Sequence, residues 1–91
     1  MSVTVRIPTP LRRMTNGESR VEVDSADIGQ CITKLEEKFQ GIKGQLMDES
    51  GELHRFVILY LNGEDIRFLQ GVDTKLQSGD EISIVPAVAG G

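Results

Sequence analysis

An α+β fold is the class this sequence predicts: a mixed five-stranded sheet, one main helix across one face, and a flexible carboxy-terminal tail. Two period-two segments near the start and further strand-like runs in the second half flank one segment with helical periodicity. The third observation lies at the end, where the last apolar run gives way to Pro86-Ala87-Val88-Ala89-Gly90-Gly91, small and uncharged.

Val3, Val5 and Ile7 alternate with Ser2, Thr4 and Arg6, which predicts a strand over residues 2–7 with one buried face, ended by Pro8 and Pro10. Residues 9–19 place Leu11 and Met14 among polar neighbours and carry Asn16-Gly17, a pair that tolerates positive φ; they read as a long hairpin connection. Val21 and Val23 alternate with Arg20, Glu22 and Asp24, giving a second strand antiparallel to the first. From Ser25 the period changes. Ile28, Cys31, Ile32, Leu35 and Phe39 form one helical stripe, with Ser25 or Asp24 as cap, Asp27 at the positive end of the dipole and Gly41 as the stop. Gly29 inside that helix signals either close packing or a tolerated loss of propensity of roughly 1 kcal/mol.

Residues 41–54 read as a glycine-punctuated loop with one short turn pinned by Ile42, Leu46 and Met47. The apolar run over residues 56–61 is a strand placed in the central core, and Asn62-Gly63 turns it back into Ile66-Arg67-Phe68. Residues 70–79 are polar apart from Val72 and Leu76, and Ile82-Ser83-Ile84-Val85 is the last strand. Its apolar run belongs at the centre of the sheet, beside the first strand. The order β, β, α, β, β, β with that closure is the β-grasp arrangement. Pro86 has no N–H for a further ladder bond, so residues 1–86 form the domain and residues 87–91 the tail.

At 91 residues the chain supports a single modest core, and 38% hydrophobic with 26% charged residues is the balance of an ordinary globule. The formal net charge of −4 opposes binding to phosphate backbones, so nucleic acid is not an expected partner. No stretch has the apolar length that spans a bilayer, so no membrane partner is expected. No basic-then-apolar leader opens the chain, and the expected location is cytoplasmic. A single cysteine excludes an intrachain disulfide and a cysteine metal cluster.

The tail carries the candidate functional group. Gly90-Gly91 makes a thin strip of backbone, and the five residues after Pro86 reach roughly 17 Å, enough to enter a narrow cleft on a partner. The α-carboxylate of Gly91, with an ordinary pKa of about 3.5, is ionised at neutral pH and can attack the α-phosphorus of ATP when held in line. Cys31 sits on the apolar helical stripe and reads as a buried, inert thiol. His54 has only Asp48, Glu49 and Glu52 nearby, without ligand spacing, and reads as part of a solvated loop. Gly41, Gly44 and Gly51 are loop punctuation and do not cradle phosphate; Arg12, Arg13, Arg55 and Arg67 are solubilising surface charges that could contact partners.

Leu76, Gly79-Asp80, Ile82-Ser83-Ile84-Val85-Pro86 and Ala87-Val88-Ala89-Gly90-Gly91 together resemble the ending of the ubiquitin-like sulfur carriers. That family includes the thiamine-pathway carrier and the small subunit of molybdopterin synthase. With Ile7-Pro8-Thr9-Pro10-Leu11-Arg12, Leu46-Met47-Asp48 and Leu53-His54-Arg55-Phe56-Val57, the whole chain is most similar to the carriers of the thiocarboxylate route to cysteine. The resemblance implies a protein co-substrate rather than an enzyme, binding no cofactor or metal and supplying no catalytic side chain. An adenylating and sulfurtransferase activating enzyme would use ATP to make a Gly91 acyl-adenylate, and a sulfur donor would displace AMP to leave a Gly91 thiocarboxylate. The sulfur would then attack an aminoacrylate held on pyridoxal phosphate by a cysteine synthase using O-phosphoserine. After an S-to-N acyl shift, a metal-dependent peptidase would release cysteine and regenerate Gly91. Ala87, Val88, Ala89, Gly90 and Gly91 would occupy the partners' channels. Many molybdopterin-type subunits have a second proline where this chain has Ala87; partnership with a molybdopterin synthase large subunit is the alternative, and attachment to lysines as a protein modifier is another.

Overall fold

Residues 2–86 are described by the structure, a computed structural model. The valines of β1 (Ser2–Arg6) and β2 (Arg20–Asp24) pair Val3 with Val23 and Val5 with Val21 in an antiparallel ladder, all facing inward. The connection between them is not an open loop: Thr9–Thr15 form a 3-10 helix that starts at Pro8 and ends at Asn16, φ 55°. Thr15 is fully buried, and its single hydroxyl proton is shared between the carbonyl oxygens of Glu18 and Arg12, 2.8 and 3.2 Å away, which holds the segment compact.

Helix α1 (Ile28–Lys38) buries Ile28, Cys31, Ile32 and Leu35, the predicted stripe, while Phe39 is the residue that closes it. Its cap is Asp27, not Ser25 or Asp24. The Asp27 carboxylate accepts from the Gln30 backbone N–H at 2.7 Å, and the Gln30 side chain accepts in return from the Ala26 N–H at 2.6 Å. Ser25 is drawn into the core instead, 1% exposed. Gly29 faces the turn at Gly71–Asp73, where a β-carbon would meet the Val72 carbonyl oxygen at 3.5 Å, an ordinary contact distance. Close packing therefore does not demand glycine there.

After Gly41, φ 99°, the 41–54 segment opens with a short helix α2 (Ile42–Leu46) whose Ile42 and Leu46 are fully buried, with Met47 packed beside them. Gly44 lies inside α2 rather than punctuating a loop. The Glu36 carboxylate accepts from the Gly41 and Lys43 N–H groups at 2.9 Å each, tying the start of α2 to α1. These backbone donors, Gly41 first and then Lys43, hold the Glu36 carboxyl below its ordinary value of 4.5. A carboxyl depressed on folding stabilises the fold above the unfolded-state value and loses that contribution as pH falls through the folded-state value. In Glu36→Gln the melting temperature is accordingly expected to fall below wild type near neutral pH, with the gap closing below about pH 4. A gap of constant size across that range would contradict the assignment.

β3 (Val57–Leu61), β4 (Glu64–Asp65) and β5 (Glu81–Pro86) complete a sheet in the order β2-β1-β5-β3-β4, with β1 and β5 parallel and the other pairs antiparallel. The last strand is central, as its apolar pattern requires. The β3 run is not central core. Only Leu59 is buried, Val57 and Leu61 lean inward, and Ile58 and Tyr60 belong to the opposite face, because α1 covers a single side of the sheet. Asn62 and Gly63, φ 51° and 88°, make the expected tight turn. The returning strand is Glu64–Asp65 and not Ile66-Arg67-Phe68, which form a 3-10 turn. Asp65 takes the Arg67 backbone N–H at 2.9 Å and so diverts the chain from the ladder, burying Ile66 and leaving Phe68 81% exposed.

Candidate functional site

The predicted functional residues Ala87, Val88, Ala89, Gly90 and Gly91 lie outside the described residues, so what the structure shows is the platform from which they depart. That platform is the end of β5. Ile82 and Ile84 point into the core beneath α1, 2% and 4% exposed, whereas Ser83 and Val85 alternate onto the outer face. Ile58 pairs with Val85 and Val57 with Pro86, so β3 flanks β5 to its last residue. β1 leaves earlier: its register with β5 runs only from Thr4↔Glu81 to Arg6↔Ser83, after which Ile7 and Pro8 turn away. The root of the tail is thus anchored through two core isoleucines and one ladder, with an opening on its β1 side.

Two surfaces border that root. On the inner side an apolar groove of about 360 Å³ runs past Leu11, Phe56, Val57, Ile84 and Pro86, and Phe56 is 53% exposed. On the β1 side a second depression of about 360 Å³ is lined by Arg6, Arg12, Arg20, Ser83 and Val85. Arg12 is set there by its Nε, which donates to the Ile7 carbonyl oxygen at 3.1 Å, and Arg6 and Arg20 face each other across the β1–β2 ladder. Arg12 was legible as a candidate contact; Arg6 and Arg20 were not, although the hairpin register that pairs them follows from the valine alternation. A larger, open concavity of about 920 Å³ lies by α2 and the 48–52 loop and shares Gly44 and His54 with the apolar groove.

The other candidates settle into structural roles. Cys31 is 2% exposed, and burial pushes its thiol up to about 11 against a smaller opposing effect of the Ser25 hydroxyl, so it stays protonated at neutral pH. The His54 ring nitrogen Nε2 lies 3.2 Å from the Gly44 carbonyl oxygen, and among the described residues no group of His, Cys, Asp and Glu side chains is arranged to hold a metal ion. Arg67 makes a two-pronged contact with the Asp65 carboxylate, 3.0 Å from Nε and 2.7 Å from Nη2, which lowers the Asp65 carboxyl and raises the guanidinium. Arg55 lies over the Phe56 ring at 6.0 Å. Among the described residues no helix is long and apolar enough to cross a membrane.

Comparison with known proteins covers the whole chain. The profile of the ThiS family matches residues 5–91 and so extends through the tail. The sulfur carrier protein CysO of Mycobacterium tuberculosis (strain ATCC 25618 / H37Rv) is 48% identical over 93 residues, spanning all of both chains. A chain from the crystal structure of the Amycolatopsis orientalis BexX/CysO complex superposes with a TM-score of 0.92 at 46% identity, covering 98% of this chain and 99% of that one. The small archaeal modifier protein 3 of Haloferax volcanii is 38% identical over 68 residues, 75% of this chain and 73% of its own.

Proposed function

The chain belongs to the ThiS family of ubiquitin-like sulfur carriers, and from that membership we propose that it carries sulfur as a thiocarboxylate on Gly91 and delivers it for cysteine synthesis. The observation that supports this most is the full-length 48% identity to a protein named as a sulfur carrier, together with a family match that runs through Gly91.

In this reading the chain is a co-substrate. Its Gly91 carboxylate attacks the α-phosphorus of ATP on an adenylating enzyme, and pyrophosphate leaves. A sulfur nucleophile then attacks the acyl carbon, AMP departs, and the thiocarboxylate remains. Gly90 and Gly91 let enzyme backbone close around the acyl group, where a β-carbon would collide with a tight channel. The β-grasp body stays outside and β5 anchors the tail. The thiocarboxylate sulfur next attacks an electrophile that a pyridoxal phosphate-dependent cysteine synthase makes from O-phosphoserine. The Gly91 acyl group then shifts from that sulfur to the amine of the new cysteine, forming an amide and freeing the thiol, and a metal-dependent peptidase hydrolyses the amide to release cysteine and regenerate the carboxylate. All of this takes place in the cytoplasm.

Incubating the sulfur-loaded chain with O-phosphoserine and cysteine synthase is expected to add one cysteine residue to Gly91, read by intact mass. Sulfur that stays on the chain there but leaves it in the presence of a molybdopterin synthase large subunit and its precursor would contradict the cysteine route. The similarity to a small archaeal modifier supports a second reading, in which the same acyl-adenylate passes to a lysine of another protein. Isopeptide-linked adducts ending in Gly91 would mark that use.

A further inference from the structure

The arginines at the root of the tail form a cationic patch out of keeping with the rest of the molecule. The chain carries a formal net charge of −4, yet three of its six arginines line one depression of about 360 Å³ beside Val85. The sheet register produces this polarity. Moving along the outer face toward the tail, the row Glu22–Thr4–Glu81 is followed by the row Arg20–Arg6–Ser83, so acidic groups lie at the far end and basic groups at the near end. Among the described residues the guanidinium groups are only partly engaged. Arg6 and Arg20 share one carboxylate, Glu81, at 3.7 and 4.0 Å, and all three side chains in that contact are well exposed. Arg12 uses Nε for the Ile7 carbonyl oxygen, and its guanidinium remains at the depression. The described lining of the recess holds three arginines and no carboxylate of its own, a local excess of positive charge that brings planar donors within reach of carboxylates from outside.

From this arrangement we infer that the Arg6, Arg12 and Arg20 recess is a docking surface for acidic side chains that rim the tail channel of the adenylating enzyme. The inference rests on the sulfur-carrier reading, because a partner that takes in Gly91 must close over whatever surrounds Pro86. Charge complementarity selects the chemistry of that rim: carboxylates meeting the arginine row guide approach and set the rotation of the body about the tail, while the acidic far end of the same face disfavours the reversed orientation. The affinity gained is mostly in association and is screened by salt, since Arg6 and Arg20 are exposed and Arg12 is half-exposed, and the Debye length is about 10 Å at 0.1 M.

The test measures the dissociation constant between the labelled full-length chain and the adenylating enzyme across a series of salt concentrations, for wild type, Arg6→Gln/Arg20→Gln and Arg12→Gln. Binding is expected to weaken roughly tenfold in the double variant at low salt, with a shallower salt dependence than wild type and an unchanged melting temperature. Arg12→Gln shifts affinity in the same direction. Glu81→Gln, which frees two guanidinium groups, tightens binding. Equal affinity and equal salt slope for wild type and the folded double variant would overturn the inference, as would tighter binding by the double variant. Because the readout is binding, it is separate from the mass measurement that decides whether Gly91 ever acquires sulfur.

Discussion

Gly91→Ala is expected to lower the rate of thiocarboxylate formation by about 100-fold or more while leaving the unfolding transition where it is. The reacting carboxylate is attached to the α-carbon of this residue, so a methyl group placed there sits next to the acyl carbon throughout both displacements. Attack on the α-phosphorus and on the acyl carbon each need a reacting distance of about 3–3.5 Å in line, and a misplacement of about 1 Å costs on the order of 100-fold. Stability is expected to stay the same: among the described residues the buried cluster reaches no further than Ile84 and the ladder ends at Pro86. Urea denaturation of the variant provides the control, and intact-mass kinetics with ATP, activating enzyme and sulfur donor provide the rate. A variant loaded as fast as wild type would show that no tight channel closes around residue 91.

Leu35→Ala is expected to cost about 3–5 kcal/mol of folding stability. Leu35 is 1% exposed at the third buried turn position of α1, and it shares the lining of a void of only about 10 Å³ with Val5, Ile32, Leu46, Leu59 and Ile84. Its neighbours come from β1, β3, β5 and both helices, so no single element can move in to fill the space a truncated side chain leaves. A domain of this size has about 5–15 kcal/mol in total, so the urea midpoint falls steeply while the slope is preserved. A loss below about 1 kcal/mol would mean that the α1 contact with the sheet is softer than the burial indicates.

Most of the architecture could be read from periodicity. The valines of β1 and β2, the α1 stripe and the central place of β5 follow from a two-residue or 3.6-residue repeat matched to one covered sheet face, and the Asn62-Gly63 turn from two residues that accept positive φ. The misplaced features were those in which a side chain overrides the backbone pattern. Asp27 captures the Gln30 N–H and takes the cap from Ser25, and Asp65 captures the Arg67 N–H and cuts β4 to two residues. Neither competition has a periodicity of its own. Burial of the 56–61 run was overstated because an unbroken apolar run cannot tell a strand covered on both faces from one with Ile58 and Tyr60 on an open face. The reading of residues 87–91 as the functional tail rests on composition and order, since they lie outside the described residues, whereas the arginine recess depends on register: Arg6, Arg12 and Arg20 are scattered in sequence and converge only when β2 folds back on β1.

The central claim is that Gly91 carries the sulfur. It is tested most directly by the intact mass of the chain, bearing no carboxy-terminal addition, isolated from cells that contain its activating enzyme. The predicted result is a species heavier by the exchange of one oxygen for one sulfur, sensitive to alkylation and located by fragmentation at Gly91. An unmodified mass that persists when ATP, activating enzyme and sulfur donor are all supplied would contradict it.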